Sequence, residues 1–180
     1  MLHSVQYPPL SEVAHLEGKG NFAVSKYYKW PFKPFYRHKL SMIVDMMGDS
    51  HYNRLLDFGA GSKIFYPELQ RHANFVTCVD KFSVINPSWR FDAIVCASVL
   101  EFVSLNEIVK ILCYIMAPHG VIYVASPMET KLSKFYFNLI GDKLTRHSHQ
   151  EIKLAIMNNF ILEEWKTWNR LYFCLKARKK

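Results

Sequence analysis

The sequence predicts a single α/β domain, residues 1–180, built on a doubly wound, mostly parallel sheet. Three observations carry that expectation. From Arg54 onward, short runs of β-branched and apolar residues alternate with segments whose apolar residues recur at helical spacing, the pattern of strands joined by crossover helices. A Gly-x-Gly turn, Gly59-Ala60-Gly61, separates the first strand from the helical segment after it. The last two strands, 161–168 and 171–175, are joined by Asn169-Arg170 alone, a connection that only an antiparallel hairpin permits.

The elements follow in order. Residues 1–48 read as a basic aromatic arm followed by one helix. Pro8-Pro9, Pro31 and Pro34 interrupt any continuous helix until about Phe35, after which Leu40, Ile43, Val44 and Met47 keep helical spacing. Gly48 closes that helix, because glycine accepts the left-handed conformation at a helix end. The core, residues 54–180, opens with a strand at 55–58. A helix bearing Ile64, Phe65 and Leu69, a strand at 75–79 and a strand at 91–96 come next. A helix with Leu105, Ile108, Val109, Leu112, Ile115 and Met116 on one stripe follows, opened by the capping box Ser104 to Glu107. Pro118-His119-Gly120 breaks it ahead of a strand at 121–125, and a second capping box, Ser148 to Glu151, opens the helix before the hairpin.

Composition narrows the class. Half of the 180 residues are apolar and 21% are charged, which excludes a disordered or fibrous chain. Apolar stretches such as 111–116 are far shorter than the ~18–20 residues of a membrane span. The start Met1-Leu2-His3-Ser4 lacks the basic and apolar regions of a signal peptide, so a cytoplasmic location is expected. Cys78, Cys96, Cys113 and Cys174 form no C-x-x-C pair and have no histidine at ligand spacing, so neither a metal site nor a disulfide framework is expected.

Chemistry concentrates around the glycine turn. Two glycines at a strand end, directly before a helix, allow a ligand close to the backbone, and the free N–H groups of a helix start face it. Asp80 ends the second strand nineteen residues after Gly61, where a carboxylate can accept bonds from a ribose diol. The pair reads as a nucleoside site. Ile64 stands where the dinucleotide fingerprint has a small residue, and no G-x-x-x-x-G-K-[ST] is present, which weakens an NAD or FAD reading and excludes a P-loop. Asp57, two residues before Gly59, would repel a pyrophosphate but suits an ammonium group.

At these residues the chain resembles the class I S-adenosylmethionine-dependent methyltransferases, of the kind acting on small molecules. Leu55–Ser62 is similar to their first motif, Val79-Asp80 to the strand end that binds ribose, 91–101 to their F-D-x-V…V-L-E stretch, and 116–120 to their Pro-Gly turn. The resemblance implies a Rossmann-like fold with S-adenosylmethionine as cofactor. It places Asp57, Gly59, Ala60, Gly61 and Ser62 on the methionine side and Asp80 on the ribose; Lys81 is a further cofactor-binding candidate, Phe82 and the residues around Ala97-Ser98 would hold adenine by apolar and backbone contacts, and Ala97, Ser98 and Val99 would border the reacting methyl. Only ten residues separate Asp80 from Phe91, so the βα unit after the second strand is expected to be shortened or missing.

The acceptor is open at this level, a small molecule or a lipid-like compound. His38, His147, His149, Tyr36 and Tyr136 are candidate bases, and none is selected as catalytic. Glu101 follows the third strand at the edge where such sheets bind ligands, and it serves equally well as the start of the next turn. Residues 18–44 hold six lysines or arginines, no acid and seven aromatics. They suit aromatic packing on the sheet, a lid over the substrate, an anionic membrane surface or a nucleic-acid backbone. The net charge of +8 suits a polyanion, but the amine-methylating motif and the Pro-Cys nucleophile of nucleic-acid enzymes are missing. A non-catalytic partner subunit and an RNA-modifying enzyme are the competing functions, and oligomeric state is left open.

Overall fold

In the computed structural model, which describes residues 5–13, 24–30, 32–80, 86–139 and 147–180, six strands make one sheet. They are β1 (Tyr52–Phe58), β2 (Ala73–Val79), β3 (Phe91–Ala97), β4 (Met116–Pro127), β5 (Phe160–Trp168) and β6 (Tyr172–Lys179), in the order β2-β1-β3-β4-β6-β5. β1 pairs in parallel with β2 and β3, and β3 in parallel with β4. β6 then runs antiparallel to both β4 and β5. The turn between β5 and β6 has Asn169 and Arg170 at φ of 47° and 57°, the two left-handed residues a tight hairpin needs.

Both faces of β3 and of the second half of β1 are covered, which is why those stretches are nearly continuous apolar runs. Along β1 and β3 side chains alternate by strand period. Leu55, Ala93 and Val95 pack with Leu40, Ile43 and Met47 of α2 (Phe32–Met47). Leu56, Ile94 and Cys96 pack with Leu105, Val109 and Leu112 of α4 (Leu105–Ile115) and with Ile152 and Ile156 of α6 (His149–Asn159). Two short pieces, α1 (Leu10–Val13) and α3 (Tyr66–Leu69), and α5 (Lys131–Leu139) complete the described α-helices, beside 3-10 turns at Ser25–Tyr27 and Leu100–Phe102.

Several boundaries differ from expectation for identifiable reasons. α2 starts at Phe32, because Pro34 falls within its first turn, where the missing N–H is not needed. The segment after the glycine turn winds only into the single turn α3, with Pro67 near its start. Ser148 and Glu151 make the full reciprocal capping box, whereas Ser104 makes no side-chain cap bond. Pro118-His119-Gly120 lies inside β4: pairing jumps from Phe91–Met116 to Ala93–Val121, so the extra residues bulge out with His119 at φ 62°. α5 was not expected from the sequence. Among the described residues no βα unit follows β2: β2 is the edge of the sheet they form, and residues 86–90 are neither helix nor strand.

The central strand makes a direct test of this layering. Ile94 is fully buried and Ile161 of β5 is 57% exposed. Ile94→Ala should cost about 2–5 kcal/mol of unfolding free energy and Ile161→Ala under about 1, measured by urea denaturation.

Candidate functional site

The carboxyl ends of β1, β2 and β3 converge at the glycine turn. The amides of Gly59 and Ala60 both donate to Val79 O, at 2.7 and 3.1 Å, which ties the turn across to the end of β2. Lys63 N donates to Ala60 O at 2.8 Å and closes it. Among the described residues, the amides of Gly61 and Ser62 donate to no backbone carbonyl. Gly59 has φ +81°, and a Cβ there would sit 2.5 Å from Val99 Cγ2, so the turn and the end of β3 touch backbone to side chain. Gly61 and Lys63 are also left-handed, and the Lys63 side chain is exposed.

Asp57, Asp80, Ala97, Ser98 and Val99 thus come to one edge with the turn. Asp57 pairs in register with Cys78 on one side and Val95 on the other, and is 3% exposed. Burial pushes its carboxyl up from 3.8 to about 7, and the charge of Asp80 adds to the rise. Lys81 and Phe82 lie outside the described residues.

Beyond Val99 lies a buried polar cluster whose members are distant in sequence. Lys39 of α2 is 2% exposed and donates from Nζ to Ser98 Oγ at 2.9 Å and to Tyr27 Oη at 3.3 Å. The rings of Tyr27, Tyr36 and Tyr172 surround that ammonium at 5.5–5.7 Å. Ser98 takes a left-handed φ of 59°, held by this bond and by its own amide donating to Ala125 O at 2.7 Å. Glu101, 1% exposed, accepts from Ser126 Oγ at 3.1 Å through Oε2, while its buried Oε1 has no partner among the described residues. Burial raises its carboxyl to about 7, against the lowering effects of its own backbone bond, the Lys39 charge and Ser126. The signal for Lys39 was present in the sequence. It lies three residues after Tyr36 and one before Leu40, inside the apolar stripe of a helix where a lysine is out of place.

The candidate bases divide. His38 lies 4.5 Å from the ring of Trp168, and burial lowers its pKa. The His147 ring pairs with Val103 O at 2.9 Å, and His149 Nδ1 accepts from Glu129 N at 3.2 Å, both roles that hold backbone. Tyr36 alone of the group stands beside Lys39, while Tyr136 packs on Phe35. An open depression bordered by Asn53, Arg54, Gln70 and Phe75 lies against the first halves of β1 and β2, away from the strand ends that carry this chemistry.

No protein-family model matches the chain, and no curated protein matches it by sequence. Solved structures do. The N-methyltransferase NodS from Bradyrhizobium japonicum WM9, in complex with S-adenosylhomocysteine, superposes with a TM-score of 0.65 at 14% identity, covering 93% of this chain and 98% of that one. A SAM-dependent methyltransferase from Aquifex aeolicus gives 0.62 at 10% identity over 97% and 100% of the two chains. The [4+2]-cyclase SpnF gives 0.64 at 14% over 94% and 93%.

The close approach at Gly59 yields a prediction that needs no ligand. Gly59→Ala should lower stability by roughly 2–4 kcal/mol through left-handed strain and overpacking, and Val99→Ala in the same chain should restore only the packing part. Denaturation of the single and double variants measures the split. With its strand order, its glycine turn and these neighbours, the chain carries the Rossmann-like fold of the class I S-adenosylmethionine-dependent methyltransferases.

Proposed function

We propose that this protein binds S-adenosylmethionine at the carboxyl ends of β1, β2 and β3 and transfers its methyl group to a small-molecule or lipid-like acceptor. The observation that carries the reading is the pair of buried carboxyls, Asp57 in the strand that runs into a glycine turn with no room for a side chain at residue 59, and the half-unpartnered Glu101 in the turn after β3. Buried acids of this kind call for a cation. S-adenosylmethionine brings two, an ammonium and a sulfonium, so the residues present fit it.

In this reading Asp57 and the turn Gly59, Ala60, Gly61 and Ser62 hold the methionine part, and Asp80 holds the ribose. Lys81 and Phe82 stand on the adenine side, and Ala97, Ser98 and Val99 border the methyl. Bound there, the cofactor would supply an electrophilic methyl to an acceptor lone pair, with the C–S electron pair going to sulfur and the acceptor's proton to solvent. The chain's own contribution is orientation, since such a displacement needs donor and acceptor in line. Val99 and the Gly59 backbone set one wall, while Lys39 locks Ser98 and so fixes the other. The exposed Lys63 leaves the sulfonium unopposed from the turn.

A second reading, a binding or partner subunit of this fold without turnover, is favoured by the absence of a βα unit after β2 among the described residues, which leaves β2 as the edge of the sheet on the adenine side. Calorimetric titration with S-adenosylmethionine and S-adenosylhomocysteine, with Asp80→Ala as control, tests the cofactor. Methyl transfer from labelled cofactor then separates the two readings. Absence of binding by folded protein would sink the first.

The carboxyls give the binding a pH dependence with a definite sign. Their raised pKa values mean that the folded protein is favoured while they are protonated, and that this contribution is lost as pH rises from about 4 through about 7. A bound cation reverses the penalty and pulls the protons off. Affinity for S-adenosylmethionine should therefore rise between pH 6 and pH 8, by roughly tenfold for each group that ionises on binding. Titrations in buffers of different ionisation enthalpy at pH 6.5 should register proton release, reduced in Asp57→Asn.

A further inference from the structure

α2 and α5 meet at the end of the molecule where β4 finishes and β6 begins. Phe35, in the first turns of α2, is 3% exposed and lies 4.2 Å from the ring of Tyr136, with Phe137, Trp168 and Tyr172 around it. That inner cluster is closed. Exposed apolar side chains stand outside this contact on both elements, Trp30 at the entry to α2 (83% exposed) and Phe135 and Leu132 on α5 (68% and 50%). Trp30 sits in the turn that leads into α2, where Lys33 N donates to Lys29 O at 2.8 Å. Exposed Lys29, Lys33 and Lys131 flank these side chains, while Lys134 is paired with Glu129 at 2.9 Å.

A tryptophan, a phenylalanine and a leucine set among lysines match one surface chemically. The rings suit the boundary between headgroup and acyl chain, and the ammoniums suit a negative leaflet. A soluble protein partner would gain from the aromatics but has no general need of the lysine ring. A nucleic-acid strand would gain from the lysines, but Leu132 offers it no stacking face. We propose that the outer surface of the α2 entry and α5 docks on an anionic lipid bilayer, with Trp30, Leu132 and Phe135 entering the interface and Lys29, Lys33 and Lys131 facing lipid phosphates. The net charge of +8 adds long-range attraction. Resting on the methyl-transfer reading, a corollary follows. The inner face of these elements carries the buried Tyr36, Tyr172 and Lys39 beside Ser98, so a docked protein holds its candidate site one helix layer from the membrane, and the acceptor is a membrane-resident amphiphile.

Vesicle co-sedimentation of the full chain tests the surface, and calorimetric binding of S-adenosylhomocysteine in parallel reports separately on the cofactor reading. With about one lipid in three as phosphatidylglycerol in phosphatidylcholine, partitioning should exceed that on pure phosphatidylcholine by roughly tenfold or more, and should weaken with added salt. Trp30→Ser with Phe135→Ser should lower it by roughly tenfold while melting temperature stays unchanged, and Lys29→Gln with Lys33→Gln should remove most of the preference for anionic lipid. The proposal is overturned by absence of vesicle binding, by binding that both double variants retain, by a preference for poly(U) RNA over anionic vesicles, or by a dimer in solution that Trp30→Ser with Phe135→Ser dissociates. Loss of homocysteine-cofactor binding with intact vesicle binding would fault the corollary and leave the surface standing.

Discussion

Parallel pairing of β1 between β2 and β3 is the constraint on which the rest of the molecule depends. Strands buried on both faces need apolar side chains along their length, so a charged residue among them is costly wherever it falls. Asp57 falls there, flanked in register by Cys78 and Val95. The sheet carries this burden at its carboxyl edge, where the strands end and a ligand can enter. Without the register of β1 against β3, Gly59 would not meet Val99, and the turn would lose the contact that sets its position.

The electrostatics of that edge are unusual in their imbalance. Asp57 and Glu101 are both almost wholly buried and pushed toward neutrality, while Lys39, equally buried, is committed to Ser98 and Tyr27 and enclosed by tyrosine rings. The lysine therefore acts on Glu101 only through space and does not form an ion pair with it. Positive charge is held on the α2 side and acid capacity on the strand side, a separation that suits recognition of a ligand bearing its own cation. Left-handed Ser98 lies between the two, strained and doubly hydrogen-bonded, as residues that orient ligands often are.

The periphery of the fold is spent differently. Among the described residues β2 is one edge of the sheet, and the closing hairpin of β5 and β6 is the other side. α2 and α5 lean together through aromatic contacts above the ends of β4 and β6, which places an apolar, lysine-rimmed surface next to the candidate site and away from the edge at β2. Site and surface are thus two faces of the same pair of helices.

The sequence by itself determined the doubly wound α/β class, the mostly parallel core, the hairpin, the glycine turn with Asp57 and Asp80, and the short connection after β2. Each of these is written in local period or in a short spacing: two for strands, three to four for helices, ten residues where a βα unit needs more. Only the tertiary structure decided the rest. The Ser104 box and the Ser148 box look alike as sequence, yet only the second forms, because capping depends on the backbone angles that packing leaves available. Pro118-His119-Gly120 reads as a break but is absorbed as a bulge, since β3 supplies partners on both sides of it. Lys39 meets Ser98 across fifty-nine residues and Glu101 meets Ser126 across twenty-five, contacts with no local signature, made when α2 and the 3-10 turn at 100–102 are laid on the sheet. Burial is a property of neighbours, and neighbours this far apart in the chain are chosen by the fold.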